Sequence, residues 1–138
     1  MSSVIEQEVK FQGVKALDLY ELYMNEEMHG AALGAPAKID RAVGGQFSAF
    51  NGGLTGRIYD LVPGRVIVQS WRAQPWREED PDSVVILNFT DEEGGSVRIN
   101  LVHANIPEHA RAIVNADAWT DRYWRPWRLY LAKSAGLR

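Results

Sequence analysis

Three histidines, His29, His103 and His109, are the side chains best suited to proton transfer or metal ligation near neutral pH. A helix-borne zinc site needs two histidines four residues apart, and any zinc site needs several convergent ligands. The spacing here matches neither, so no metal site is expected. The chain has no cysteine, which removes thiol nucleophiles, thiolate zinc ligands and disulfides. Glu78, Glu79, Asp80 and Asp82 crowd acid into one stretch but lack the alternating ligands and central glycine of a calcium loop, so a solvated loop is expected. Gly44-Gly45, Gly52-Gly53 and Gly94-Gly95 have neither the Walker lysine nor the dinucleotide fingerprint, and read as bends. Ser48 and Ser70 lie outside any nucleophile-elbow context. No catalytic residue and no cofactor are expected, and the chain reads as one that holds something rather than transforms it.

What remains is aromatic. Trp71, Trp76, Trp119, Trp124 and Trp127 each carry a large apolar body and one N–H that needs a partner when buried. Such side chains make either a core or the wall of a ligand cavity. Trp119, Tyr123, Trp127 and Leu131 recur at four-residue spacing and define the inward stripe of a last helix. Trp124, beside Tyr123, widens that stripe. Phe47 and Phe89 are strand aromatics large enough to meet it across a sheet. Tyr20, Tyr23, Met24 and Met28, on an early helical segment, form either core or a pliable lid. His103 shares a strand face with Val97, Ile99 and Leu101, so it is either a polar group inside a cavity or a histidine bonded at the strand end. The expected ligand-lining set is therefore Tyr20, Met24, Phe47, Trp71, Phe89, His103, Trp119, Tyr123 and Trp127. Arg122, Arg125 and Arg128 make either a basic stripe for an acidic protein or a solvated face with Asp121 and Arg125 paired across one turn.

The elements that must position these groups follow from periodicity. Val4 to Phe11 alternates as a half-buried strand. Leu17, Tyr20, Tyr23, Met24 and Met28 recur at helical steps as far as Gly30, Gly34 and Pro36, which predicts one helix or two short ones. Short strands are expected at Ala37 to Asp40 and Gln46 to Phe50, then longer ones at Leu54 to Leu61, Arg65 to Arg72, Val84 to Thr90 and Ser96 to Ala104. The turns Asn51-Gly52-Gly53, Pro63-Gly64 and Asp91 to Gly95 separate them as hairpins. A helix from about Asp117 to Ala135 closes the chain, with a kink expected at Pro126. This segregation predicts an α+β fold with an antiparallel sheet of about six or seven strands covered by helix.

With 138 residues, 46% hydrophobic and 24% charged, the chain suits a single domain over residues 1–138. A net charge of −3 offers no field for a polyanion, so nucleic acid is not an expected partner. The N-terminal residues show no basic, apolar leader, and no apolar run is long enough to cross a bilayer. A cytoplasmic location and no membrane partner are expected.

Gly44-Gly45-Gln46-Phe47, Gly56 with Asp60-Leu61-Val62-Pro63, Ile67-Val68, Trp71-Arg72 and Trp76 fall in a characteristic order, continued by Ile106-Pro107, Trp119 and Tyr123-Trp124. In this the chain resembles the C-terminal domain of the activator of heat-shock-protein-90 ATPase family, from Ile5 to about Leu131. The resemblance implies the helix-grip fold of the START-like (SRPBCC) superfamily, in which a curved antiparallel sheet grips the C-terminal helix, often around a cavity. It implies a heat-shock-protein-90-type chaperone as partner. In two-domain members the N-terminal domain makes the principal contact and the C-terminal domain assists, and this sequence corresponds to the C-terminal half. A small hydrophobic ligand between sheet and helix is the alternative occupant.

Overall fold

Strict alternation puts Val85, Leu87 and Phe89 of one strand, and Val97, Ile99, Leu101 and His103 of the next, on one buried face. The same rule builds the whole sheet. In the computed structural model, which describes residues 2–136, the strands are β1 (Ser2–Gln12), β2 (Lys38–Ile39), β3 (Gln46–Ala49), β4 (Leu54–Val62), β5 (Val66–Ala73), β6 (Ser83–Glu92) and β7 (Ser96–Pro107). They form one seven-stranded sheet in the order β1-β7-β6-β5-β4-β3-β2. Every neighbouring pair is antiparallel. Register shifts between Ser3 and Ile5 in β1, and between Ile58 and Asp60 in β4, act as the bulges that bend such a sheet.

Gly56 permits a close approach inside this sheet. A Cβ on it would stand 2.1 Å from the Ser70 carbonyl oxygen, so only glycine fits there.

The early helical pattern resolves into α1 (Ala16–Met24) and α2 (Glu26–Leu33). Asn25 divides them. Its backbone is extended and its side-chain oxygen accepts the Met28 N–H at 3.0 Å, which caps α2. Ala16, Leu19, Tyr20 and Tyr23 form the buried face of α1. Leu17, expected among the inward residues, is 53% exposed, because it lies one residue off that face.

The last helical path runs as α3 (Ala116–Trp119), a π-helical turn (Thr120–Trp124) and α4 (Arg125–Gly136). The expected irregularity falls one turn ahead of Pro126 and takes the form of this wider turn, in which the Arg125 N–H reaches back to the Thr120 carbonyl. The cause is local, since Pro126 has no N–H to offer the Arg122 carbonyl. The extra residue in the turn has a consequence for packing. Trp119 and Trp124 stack with ring centroids 5.5 Å apart, and Trp124 joins Trp119, Tyr123 and Trp127 in the core. Three strands from different parts of the sheet hold this helix, through Gln7 of β1, His103 of β7 and Trp71 of β5.

Candidate functional site

The Trp119 side chain is 2% exposed, and its N–H is spoken for. It donates to His103 Nδ1 at 3.1 Å. Since Nδ1 is then an acceptor, the ring proton sits on Nε2 and is donated to Ser83 Oγ at 2.8 Å. Ser83 Oγ in turn donates to the Trp71 carbonyl at 2.7 Å. All donors in this relay point the same way, from the helix into the sheet. His103 therefore lies within β7, which continues beyond the expected strand end, opposite Ile5 and Val85. Burial lowers its pKa from 6.5 to about 3, so the ring is neutral.

A second relay runs deeper. Tyr123 donates its hydroxyl proton to His29 Nε2 at 3.3 Å, and His29 Nδ1 donates to the Tyr23 carbonyl at 2.7 Å. Tyr23 donates its own hydroxyl to Gln69 Oε1 at 2.5 Å, and the Gln69 amide donates to the Ser70 carbonyl. Burial lowers the His29 pKa and raises those of Tyr23 and Tyr123. These groups are neutral positioning elements. In His29 and His103 both ring nitrogens are already bonded, so neither presents a free base.

The relays hold one wall of a cleft of about 540 Å³, within the range of small-molecule sites. Trp71, Trp119 and Tyr123 form that wall. Trp71 stacks on Trp119 at 5.7 Å, and Tyr123 lies 4.8 Å from Trp119. Phe50, Leu54, Gln74, Pro75, Ile113 and Val114 contribute to the rest of its lining. The Phe50 backbone has φ of 52°, a left-handed conformation costly for a non-glycine residue. Its ring meets Tyr123 edge-on at 5.8 Å.

The two loops that carry Pro75 and Ile113 are tied to each other. His109 Nε2 lies 2.6 Å from Asp80 Oδ2, and Asp80 also accepts the Arg77 N–H at 2.7 Å. That backbone hydrogen bond, followed by the His109 contact, lowers the Asp80 pKa. Arg72 bonds the carbonyls of Asp80 and Arg77 and the Asp82 carboxylate. The acidic stretch is thus partly knitted into structure. Among the described residues no three His, Asp or Glu side chains converge on a metal-sized site.

Of the nine residues expected to line a cavity, the structure brings Trp71, Trp119 and Tyr123 to the cleft. The other six lie in packed interior behind it. Phe47 stacks on Tyr23 at 5.4 Å, Tyr20 meets Phe89 edge-on at 6.1 Å, and Met24 and Trp127 are fully buried. His103 supports Trp119 from within the sheet. The physical reason is volume, because α1 fills the space that a wider grip would leave open. Phe50, Leu54, Ile113 and Arg122 line the cleft without having been expected to. Phe50 precedes the Asn-Gly-Gly turn, and nothing in residue order announces its left-handed backbone. Arg122 is expected either on a basic stripe or on a solvated face, and it lines the cleft instead. Its two companions do have partners, Arg125 on Asp121 at 2.8 Å and Arg128 over the Phe11 ring at 4.2 Å.

Residues 14–125 match the profile of the family described as Activator of Hsp90 ATPase homolog 1-like protein. The chain belongs to this family. The human protein named Activator of 90 kDa heat shock protein ATPase homolog 1 is 34% identical over 77 residues, which is 56% of this chain and 22% of that protein. A Dictyostelium discoideum relative named Activator of 90 kDa heat shock protein ATPase homolog is 28% identical over 91 residues, 66% of this chain and 24% of that one. The chain therefore spans about a quarter or less of the curated relatives it matches. Among solved structures, an HSP90 activator from Plasmodium falciparum superposes with a TM-score of 0.82 at 23% identity, over 94% of this chain and 96% of that chain. CalU16 from Micromonospora echinospora does so with a TM-score of 0.73 at 18% identity, over 98% and 87%. At these identities the structures establish a shared helix-grip fold.

Proposed function

We propose that this chain, acting as one domain over residues 1–138, is a cytoplasmic accessory to an Hsp90-type chaperone and binds it without carrying out a reaction of its own. The observation that carries this reading is the match to the Plasmodium falciparum HSP90 activator over 96% of that chain. The family match over residues 14–125 and the 34% identity to a human protein named as an activator of the 90 kDa heat shock protein ATPase support the same reading. The absence of a free base in the two buried histidine relays supports the non-catalytic part. The test is the ATPase rate of the Hsp90-type chaperone from the same source, with and without an excess of this protein, together with titration calorimetry. A change in rate or a measurable affinity supports the proposal. Neither, at saturating protein, overturns it.

The cleft favours a second reading, a binding module for a small hydrophobic molecule. Its aromatic wall is held in place by the relay through His103 and Ser83, the kind of preorganisation that lowers the cost of binding. Native mass spectrometry of freshly purified protein would reveal a retained ligand. Uniform binding of apolar probes to a variant with the cleft filled would remove the basis for this reading.

A further inference from the structure

Arg122 is the one charged residue among those lining the cleft. It extends from the π-helical turn, one residue before Tyr123, and the guanidinium makes no ion pair with any described residue. The acid nearest in sequence, Asp121, is taken by Arg125. The cleft thus pairs a stacked aromatic wall with one cationic donor group and with no carboxylate in its lining.

We propose that the cleft binds a small planar aromatic acid, the ring lying against Trp71, Trp119 and Tyr123 and the anionic group meeting Arg122. This rests on the second reading above, that the cleft holds a small molecule. The ring satisfies the apolar wall by offset stacking. The guanidinium offers a planar fork matched to a carboxylate. A cationic ligand is disfavoured by Arg122, and a purely aliphatic one leaves its guanidinium unmet.

The test compares 2-naphthoate with the uncharged 2-naphthamide by titration calorimetry and indole fluorescence, on native protein, Arg122→Gln, Arg122→Lys and Ala118→Phe. Because Arg122 is exposed, the charge preference should be modest, about five- to tenfold in favour of naphthoate, and should shrink as salt is added. Arg122→Gln should erase the preference by lowering naphthoate affinity to that of naphthamide, and Arg122→Lys should restore part of it. Ala118→Phe, which places a ring in the cleft, should abolish binding of both probes, with circular dichroism confirming the fold. Equal affinity for the two probes, or a preference that survives Arg122→Gln, overturns the aromatic-acid assignment. If Ala118→Phe still blocks both in that case, the cleft reading itself stands. Failure of native protein to bind either probe at millimolar concentration overturns both.

Discussion

The His103 ring is fully buried, accepts at Nδ1 from Trp119 and donates from Nε2 to Ser83, and burial holds its pKa at about 3 instead of 6.5. Protonation would set an Nδ1–H against the Trp119 N–H, donor against donor. The unfolded chain takes up this proton below pH 6.5, whereas the folded chain does so only near 3. A depressed histidine pKa therefore contributes stability that is complete above 6.5 and is lost progressively as the pH falls towards 3. At about 1.36 kcal/mol for each pH unit below 6.5, the loss from this one ring is about 2 kcal/mol at pH 5. That is a large share of the ~5–15 kcal/mol that holds a domain together. His29, also lowered by burial, acts in the same direction. Glu21 and Asp80, lowered chiefly by the Arg41 hydrogen bond and the Arg77 N–H respectively, lose their contributions only below 4.5 and 3.8. Urea unfolding followed by tryptophan fluorescence, at about pH 7 and about pH 5, isolates the effect when native protein is compared with His103→Gln. The variant should be less stable at neutral pH but should lose about 2 kcal/mol less on acidification. An unchanged pH dependence in the variant, or a native-state NMR titration of His103 centred near 6.5, would refute the reasoning.

Three further outcomes are expected. Trp119→Ala removes a buried indole and leaves His103 Nδ1 without a donor, and because the void opens on the cleft the cost should sit near the lower end of the ~3–5 kcal/mol range, with weaker binding of aromatic probes. A loss under about 1 kcal/mol with unchanged probe binding would contradict this. Gly56→Ala forces β4 away from the Ser70 carbonyl and should lower stability by about 2 kcal/mol or more in thermal melts, and no measurable shift would show that the strand contact is loose. Gln7→Ala takes the acceptor from the buried Trp124 N–H and the amide bond from Thr120 Oγ1, for about 1–3 kcal/mol in urea unfolding, whereas Gln7→Glu, which keeps an acceptor, should lose less.

Much of this protein is legible in its sequence. Alternation in residues 84–90 and 96–104, with glycine-bearing turns between strands, dictated an antiparallel sheet, because a two-residue period buries only one face and short turns join only antiparallel neighbours. The four-residue recurrence of Trp119, Tyr123 and Trp127 marked the helix face that is in fact buried, and Asp121 and Arg125 do pair across one turn. Tertiary structure decided what those faces enclose. Local order says that Phe47 and Phe50 are both strand-end aromatics, but only the left-handed backbone at Phe50 sends its ring to Tyr123 while Phe47 stacks on Tyr23. The sequence marks His103 as inward, yet its tautomer depends on Trp119 and Ser83, which lie 16 and 20 residues away. Arg122 reads like Arg125 and Arg128, but in the fold it lies in the π-helical turn and lines the cleft while the other two meet Asp121 and Phe11. Periodicity is a property of neighbours along the chain and so determines elements and faces, whereas a cleft is made by groups distant in sequence whose positions depend on packing volume and shared hydrogen bonds.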